Sequence, residues 1–479
     1  MTSILKVKGT KIVDGEGKPV VLRGAGIGGH LNMENFITGY PGHEAQHKES
    51  LLKVMGKEKF DFFFEKFYDY YWTEEDAKFY KSIGMNCLRI PFNYRHFLDD
   101  SDLFTVKAEG FRLLDRIIER SAKHGIYTVL DLHAVPGGQN QDWHSDSAIH
   151  IAQFWQFGVF QDAIVNLWKA IAAHYKGNGW VAGYNPLNEP ADSKHTRLIA
   201  FYDRVEKAIR EVDPDHILYL DGNTYSMDFT HFPEKLWPNV VLAIHDYANF
   251  GFPRNEAYVG SEEQQAKLLK QYQRKIEPVA KLGVPVWNGE FGPVYSSEAR
   301  GDSDIEKTNS QRYHVLKDQL AIYKKGDPSG DGAAIGWSIW TYKDIGYQGL
   351  VYVDPKGPWF QLLGKFFQKK QRLGVDAWGR DPDPKVEALY KSISDHFREN
   401  VPEEHLTDMY PGKMWGGVDR YISRVLRECL LSHFMSYEFA DFFKDLSFEQ
   451  LDALAASFKI ENCVKRDELN SILGHDAGL

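Results

Sequence analysis

Two glutamates stand at the ends of apolar runs, where a buried strand would normally carry no charge. Glu189 ends the stretch GYNPLNE (residues 183–189), and Glu290 ends VPVWNGE (residues 284–290). A carboxylate that loses water without gaining a partner is strongly destabilising, so both positions call for a chemical role. The structural alternative for Glu189 is a turn acid, because the residue before Pro190 is pushed out of helical geometry.

A pair of carboxyl groups is suited to the hydrolysis of a glycosidic bond. One group protonates the leaving oxygen, and the other attacks the anomeric carbon or activates a water. In a retaining enzyme the two groups lie about 5–5.5 Å apart, and in an inverting enzyme the gap is wider. A sequence carries no distances, so both mechanisms stay open at this point.

Other polar and aromatic side chains end further predicted strands. These residues are Arg89, His133, Asn188, His245, Tyr247 and Trp340. Each has an ordinary explanation by itself, such as a buried ion pair, a hydrogen-bonded structural histidine or core packing. Random placement would rarely bring such groups to the same end of six strands, so we interpret them as one active site.

For these residues to meet, the chain must bring its strand ends together. Alternation of β-rich and amphipathic runs predicts strands at 20–27, 86–92, 127–133, 180–187, 216–221, 240–246, 284–290 and 334–341. Helices are predicted at about 73–83, 107–124, 157–174, 194–212, 262–281 and 304–325. Eight strands with crossover helices predict an α/β fold, the (β/α)8 TIM barrel, whose active site lies at the C-terminal ends of its strands.

A doubly wound sheet is the competing fold. Such a sheet usually carries a glycine-rich phosphate loop after its first strand, and GAGIGG (residues 24–29) resembles one. No clean helix follows this stretch, and no acid ends the second strand. Both observations favour the barrel.

We predict two parts of the chain. Residues 1–400 form the barrel, with an N-terminal hairpin that turns at Asp14-Gly15 and a closing helix at 384–399. Long loops are expected at 30–60 and 342–360. Residues 401–479 form a C-terminal helical extension, with packing or oligomerisation as its default role.

Composition excludes several classes of partner. The net charge of −10 argues against nonspecific nucleic-acid binding and against an anionic membrane surface. No segment is apolar for long enough to span a bilayer, and the N-terminus lacks the apolar core of a signal peptide, which predicts a cytoplasmic protein. The three cysteines and the dispersed histidines lack the spacing of metal ligands or disulfides, so no metal and no cofactor are expected.

Six short motifs, in order along the chain, resemble glycoside hydrolase family 5, the cellulase-like family of retaining barrel enzymes. The motifs are RIPF (89–92), DLH (131–133), LNEP (187–190), IHDY (244–247), WNGEFG (287–292) and SIWTYKD (338–344). The resemblance runs from the opening hairpin to about residue 345.

The resemblance implies a role for each residue of the catalytic pair. Glu189 would be the general acid/base, and Glu290 the nucleophile that forms a glycosyl-enzyme. Asn188 would bind the sugar 2-hydroxyl, while Arg89 and Tyr247 would keep Glu290 ionised and aligned. We expect the nearby cation to lower the pKa of Glu290, and a drier, less charged setting to raise that of Glu189.

Three further residues would complete the sugar site. By the same resemblance, His133 and His245 would support the sugar and the acid, and Trp340 would form the floor of the subsite for the reacting sugar.

The first loop resembles that of fungal exo-glucanases and related β-glucosidases. In that group an acid of this loop binds the terminal sugar, and Glu34 matches its position, with a loop salt bridge as the structural alternative. The chain departs from the group at His30, where an aromatic is usual, and at His144, where an asparagine is usual. Trp143, Phe250, Phe252 and Trp359 form either an aromatic entrance or loop packing.

We therefore expect a retaining, exo-acting β-glycosidase. Its candidate substrates are small glycosides or glycolipids, including glucosylceramide, sterol glucosides, short β-glucans and flavonoid glucosides or rutinosides. An endo-acting glucanase or mannanase is the alternative enzyme, and an inactive sugar-binding barrel is the alternative of another class. The oligomeric state stays open.

Overall fold

The fold is described from a computed structural model that covers residues 2–326, 334–375, 383–408 and 417–479. The strands in this part of the chain are β1 (Lys6–Lys8), β2 (Lys11–Val13), β3 (Arg23–Gly26), β4 (Cys87–Asn93), β5 (Tyr127–Ala134), β6 (Val181–Asn185), β7 (Ile217–Asp221), β8 (Val240–His245), β9 (Val286–Phe291), β10 (Gly336–Ile339), β11 (Lys343–Asp344), β12 (Val351–Val353) and β13 (Cys463–Lys465).

Helices surround these strands and continue beyond them. They are α1 (Asn35–Thr38), α2 (Glu44–Met55), α3 (Lys57–Tyr71), α4 (Glu74–Ser82), α5 (Ala108–Ala122), α6 (Gly158–Tyr175), α7 (Arg197–Arg210), α8 (Asn223–Ser226), α9 (Glu262–Ala280), α10 (Ile305–Lys325), α11 (Pro358–Arg372), α12 (Pro384–Asn400), α13 (Glu403–Asp408), α14 (Gly417–Arg424), α15 (Ser432–Asp441), α16 (Phe448–Ala456) and α17 (Asp467–Ala477). A π-helical segment, Val425–Leu431, joins α14 to α15.

Eight parallel strands close into a barrel, in the order β10, β3, β4, β5, β6, β7, β8, β9. The predicted (β/α)8 fold is confirmed, and all eight predicted strands are present. Strands β4, β6, β7, β8 and β9 are buried along their whole length, as expected where helices cover the outside and side chains fill the inside.

The N-terminal hairpin is present, but its turn lies earlier than predicted. Strands β1 and β2 pair antiparallel through a turn at Gly9 and Thr10. The predicted turn at Asp14-Gly15 also reverses the chain, but it leads only to a single antiparallel bridge between Val13 and Pro19.

The predicted loop at 30–60 is wrong, because most of it is helical. Helices α2 and α3 occupy residues 44–71 and bury an aromatic face that includes Phe63, Phe64 and Phe67. Several charged residues interrupt the apolar pattern in this stretch, so the sequence alone does not predict these helices. The tail supplies the cover, since α15 packs on α2 and α16 packs on α3.

The predicted closing helix is also a different one. Helix α12 (residues 384–400) packs on α14 and buries only Ser394 among its residues. The last helix, α17, instead packs on α10 and reaches the outside of β10 and β3. There Asp476 accepts a hydrogen bond from the indole of Trp337 at 2.9 Å and pairs with Arg23 at 3.3 Å. An amphipathic pattern predicts a helix, but it does not predict which surface of the protein that helix packs against.

The tail is thus joined to the barrel by several kinds of contact. Strand β13 pairs antiparallel with β12. The buried Lys343 ammonium donates to Asp76 at 2.7 Å and to the carbonyl of Phe458 at 2.6 Å. The boundary predicted at residue 400 stays a prediction. In the described residues no helix is both long and apolar enough to cross a membrane.

Candidate active site

The strand ends bring the two predicted glutamates together. Glu189 follows β6, and Glu290 lies on β9, across the barrel mouth. One carboxylate oxygen of each, with a ring nitrogen of His245, form a group in which all atoms lie within 4.8 Å of one another. Both glutamates are less than 8% exposed, at 7% and 4%. Oxygens this close fit a retaining pair, whose carboxyl groups lie about 5–5.5 Å apart.

Glu290 is held by two donors, one on β4 and one just after β8. The buried guanidinium of Arg89 pairs with Oε1, and the hydroxyl of Tyr247 donates to Oε2 at 2.9 Å. Arg89 also donates to the side-chain oxygen of Asn188 at 2.6 Å. Both oxygens of Glu290 are therefore fixed, and its charge has an opposite charge beside it.

Glu189 sits between two histidines. Its Oε1 lies 2.6 Å from Nδ1 of His245, and its Oε2 lies 3.1 Å from Nε2 of His144. The backbone of Glu189 has φ 46°, in the left-handed region, and its amide donates to Asp221 at 2.9 Å. A non-glycine residue in that region persists only when its surroundings hold it there, which is typical of functional sites.

These histidines reverse the pKa direction expected for Glu189. Burial and the charge of Glu290 favour the protonated acid, but hydrogen bonds from His144 and His245 outweigh them and lower its pKa. Burial opposes a charge on His144, yet the hydrogen bond to Glu189 and three nearby carboxylates raise its pKa above the ordinary value. Burial lowers the pKa of His245 to about 4, so this ring is neutral at pH 7.

His133 connects Arg89 to the remaining wall of the site. Its Nδ1 lies 2.7 Å from Asp131, which in turn pairs with Arg89 at 3.0 Å. Its ring stacks on Trp340, with centroids 5.4 Å apart and planes 7° apart. The indole of Trp340 is packed so closely that a Cβ on Gly26 would lie 2.7 Å from it. Two glycines of GAGIGG, Gly26 and Gly28, therefore make room for an indole.

Glu34 reaches the same site from the loop after β3. It accepts a hydrogen bond from the indole of Trp143 at 3.1 Å and lies 3.8 Å from His133. Burial, with the charges of Glu290 and Glu189, outweighs the opposing effects of His144 and Trp143 and raises the pKa of Glu34 to about 8. The site thus holds three glutamates, and this one is neutral at pH 7.

One predicted site residue lies apart from this cluster. His30 bonds to the carbonyl of Tyr68 at 2.8 Å and stacks on Tyr71, with centroids 5.1 Å apart. Both tyrosines belong to α3, the helix that the sequence reading missed, and His30 is 1% exposed. The structure thus assigns His30 to packing and gives it no contact with the paired glutamates.

Of the four aromatic residues proposed for the entrance, two lie at the site and two pack elsewhere. Trp143 belongs to the site, and Phe252 lies against Tyr247, with centroids 6.0 Å apart. Phe250 packs on Tyr258, and Trp359 is buried against the tail.

Sequence reasoning missed three polar residues that orient the site. Asp131 stands two residues before His133 on the same face of β5, a spacing that could have revealed it. Asp221 ends β7, one of the two barrel strands for which no polar end residue was proposed. Asn140 donates to the carbonyl of Glu189 at 2.9 Å from an irregular loop, where no local pattern would have marked it.

The group of Glu189, His245 and Glu290 also has the composition of a metal triad. The prediction that the site works without metal stays a prediction.

Comparison with known proteins places this geometry in a family. The family model described as Cellulase (glycosyl hydrolase family 5) matches residues 45–344. A beta-xylosidase of Phanerodontia chrysosporium is 52% identical over 478 residues, which cover 99% of this chain and 98% of that protein. A probable glucan 1,3-beta-glucosidase A of Aspergillus fumigatus is 25% identical over 69% of this chain and 84% of its own. A crystal structure of endogalactoceramidase shares the fold with a TM-score of 0.50 and 18% identity, over 71% of this chain and 75% of that one.

Proposed function

Because the chain belongs to glycosyl hydrolase family 5, we propose that it is a retaining, exo-acting β-glycosidase that releases one terminal β-linked sugar. The observation that carries this proposal is the approach of Glu189 and Glu290 within 4.8 Å beside a third buried acid. Two carboxyl groups at this spacing suit double displacement, and the third suits the hydroxyl groups of a chain end.

In the first step Glu290 attacks the anomeric carbon. The bond from that carbon to the leaving oxygen breaks, and the leaving oxygen takes the proton that Glu189 shares with His144. Arg89 and Tyr247 hold the attacking carboxylate in line, and Asn188, which accepts a hydrogen bond from Arg89, would bind the sugar 2-hydroxyl.

In the second step the roles of the acid reverse. Glu189, now a carboxylate, takes a proton from water, whose oxygen attacks the anomeric carbon and releases Glu290. His245 lies 2.6 Å from Glu189 and 3.6 Å from Glu290, so it bridges both acids through either step.

The sugar that fills the site is proposed to be xylose, with glucose as the alternative. The relative that is 52% identical is named a beta-xylosidase, and one that is 25% identical is named a glucan 1,3-beta-glucosidase. Xylose and glucose differ by one hydroxymethyl group, and a pocket that excludes such a group discriminates by about 10-fold or more.

A matched panel of aryl β-xyloside, aryl β-glucoside, aryl rutinoside, glucosylceramide and β-glucan tests the proposal. We expect the xyloside to have the highest kcat/KM, and the β-glucan to yield only a monosaccharide at early times. Mixed oligosaccharides would instead indicate the endo-acting alternative, and no hydrolysis of any glycoside would indicate an inactive sugar-binding barrel.

Replacing Glu34 with glutamine should stabilise the protein at pH 8 and impair catalysis. A buried acid whose pKa is raised to about 8 binds its proton more tightly in the folded state. Stability therefore falls as the pH rises from about 4.5 to 8, because ionisation then favours unfolding. Glutamine does not ionise, so the variant keeps this stability. Its free energy of unfolding at pH 8 should exceed that of the wild type by on the order of 4 kcal/mol, and the two should be equal at pH 4.

Denaturant unfolding of both proteins at pH 4 and pH 8 measures this difference. Loss of the sugar contact should also lower kcat/KM by about 10- to 100-fold. The exposed Glu298 on the loop after β9 offers a control, since Glu298→Gln should change neither quantity. Equal stability of Glu34→Gln and the wild type at pH 8 would contradict the assigned protonation.

Replacing His144 with asparagine should move the basic limb of the pH profile to lower pH. Glu189 and His144 share one proton, which can lie on either group. The pair therefore binds that proton more tightly than Glu189 alone would. Asparagine leaves Glu189 as the only site, so the acid is lost at lower pH. The profile of kcat/KM against pH measures the shift, and His174→Asn, on the outer face of α6, should leave the limb in place. An unchanged limb would mean that His144 does not share the catalytic proton.

A further inference from the structure

A second group of potential ligands shares no residue with the catalytic cluster. His43, His150 and Cys429 each offer one ligand atom, and these atoms all lie within 4.8 Å of one another. His43 precedes α2, His150 lies in the loop between β5 and α6, and Cys429 lies in the π-helical segment of the tail. Three remote parts of the chain therefore converge on one point.

The imidazole nitrogens at this point are poorly satisfied. His43 is fully buried, and neither of its ring nitrogens makes a hydrogen bond of standard geometry; the backbone of Glu428 offers the ring only a weaker contact. His150 is 1% exposed, and its Nε2 also has no partner. Buried polar atoms are nearly always hydrogen-bonded, so three such atoms together require an explanation. In the part of the chain that the structure describes, no side chain other than His43 has two of them.

The chemistry of the three side chains selects one class of ligand. The two rings stand nearly perpendicular, with centroids 5.2 Å apart, so that they approach each other by an edge. Cys429 is a free thiol and only partly buried, which leaves a route for an ion. Two imidazoles and one thiolate are the donors that Zn²⁺ and Cu⁺ prefer, whereas Mg²⁺ and Ca²⁺ prefer oxygen.

We propose that His43, His150 and Cys429 bind a thiophilic metal ion, Zn²⁺ or Cu⁺. The thiol loses its proton to solvent when the ion binds, as ligating thiols do. Three protein ligands suffice for Cu⁺, and Zn²⁺ takes a water as its fourth ligand on the exposed side of Cys429.

The same segments already touch at two other points. The guanidinium of Arg424 lies 4.2 Å from the ring of Trp143 and pairs with Asp142. The amide of Asn35 donates to Glu428 at 3.3 Å. The ion would add a further link between the tail and the loop that carries Trp143 and His144. It would therefore fasten the tail to the wall of the sugar site without taking part in the reaction.

Cobalt binding to the full-length protein tests the site. After chelator treatment, added Co²⁺ should give a thiolate-to-cobalt charge-transfer band in the wild type. Cys429→Ser should lose this band, and His43→Gln should lose it or bind Co²⁺ far more weakly. Cys463→Ser is the matched control, because Cys463 is also a partly buried free thiol but lies on β13, and it should keep the band.

Competition and heating complete the experiment. Zn²⁺ or Cu⁺ should displace Co²⁺, and the tighter competitor identifies the ion. A hundredfold excess over Kd should raise Tm by about 3 °C in the wild type and not in Cys429→Ser. A wild-type protein without the band, or a band that persists in Cys429→Ser, would overturn the proposal. Binding without a rise in Tm would overturn the fastening role.

Discussion

Glu290→Gln is expected to lower kcat on an aryl β-glycoside by at least about 10⁴-fold, since an amide cannot form the glycosyl-enzyme. The loss should be large for every leaving group, because the departure of each one requires attack by the same carboxylate on the anomeric carbon. Glutamine keeps the volume of the side chain and an oxygen that can accept from Tyr247. The variant should therefore fold, which the thermal midpoint can check.

A slow substrate identifies the nucleophile directly. A 2-fluoro glycoside with a good leaving group should leave a sugar on the peptide that contains Glu290, as seen by mass spectrometry. Glu290→Gln should show no adduct, and the exposed control Glu298→Gln should label as the wild type does. Activity of Glu290→Gln within tenfold of wild type, or a label on another acid, would refute the assignment.

The catalytic geometry was predictable because it depends on strand ends. A parallel barrel places the C-terminal ends of its strands on one face, so Glu189 and Glu290 had to approach each other wherever the helices lay. Their distance was not predictable, because it depends on shear and on the left-handed backbone of Glu189. The retaining spacing is thus a result of the structure.

The pKa direction of Glu189 was not predictable for a related reason. Its proton affinity is set by His144, which comes from a long irregular loop and reaches the acid at 3.1 Å. Nothing in the spacing of residues 144 and 189 indicates this contact. The expectation of a raised pKa assumed a drier, less charged setting, and the effect of burial is outweighed here by the hydrogen bonds from His144 and His245.

The other differences between the predicted and observed structure arise from packing between distant parts of the chain. Helices α2 and α3 and the position of α17 depend on surfaces that the tail supplies, and local periodicity does not identify them. The expectation of no metal stays a prediction; it rested on ligand spacing along the chain, and the proposed site at His43, His150 and Cys429 draws its residues from three remote segments. Predicting helices and strands one by one does not reveal contacts between segments that are distant in the sequence.

Glu189→Gln is expected to separate substrates by their leaving groups. With an alkyl leaving group, which needs a proton, kcat/KM should fall by about 10²- to 10⁴-fold. With dinitrophenolate, which leaves without a proton, kcat/KM should change little. The second step still lacks its base, so the glycosyl-enzyme should accumulate and produce a burst of dinitrophenol before slow turnover.

Rescue by azide distinguishes loss of the catalytic base in this variant from a change in the structure of its active site. Azide needs no deprotonation, so it should attack the accumulated glycosyl-enzyme in Glu189→Gln and restore turnover of the dinitrophenyl substrate. The product should be the β-glycosyl azide, because two inversions at the anomeric carbon return its configuration. Glu290→Gln is the matched comparison: it lacks the intermediate, and any azide that reacts there directly should give the α product. Equal losses for both leaving groups in Glu189→Gln, without rescue, would show that the residue only supports the site, and a single-displacement product would exclude the retaining mechanism.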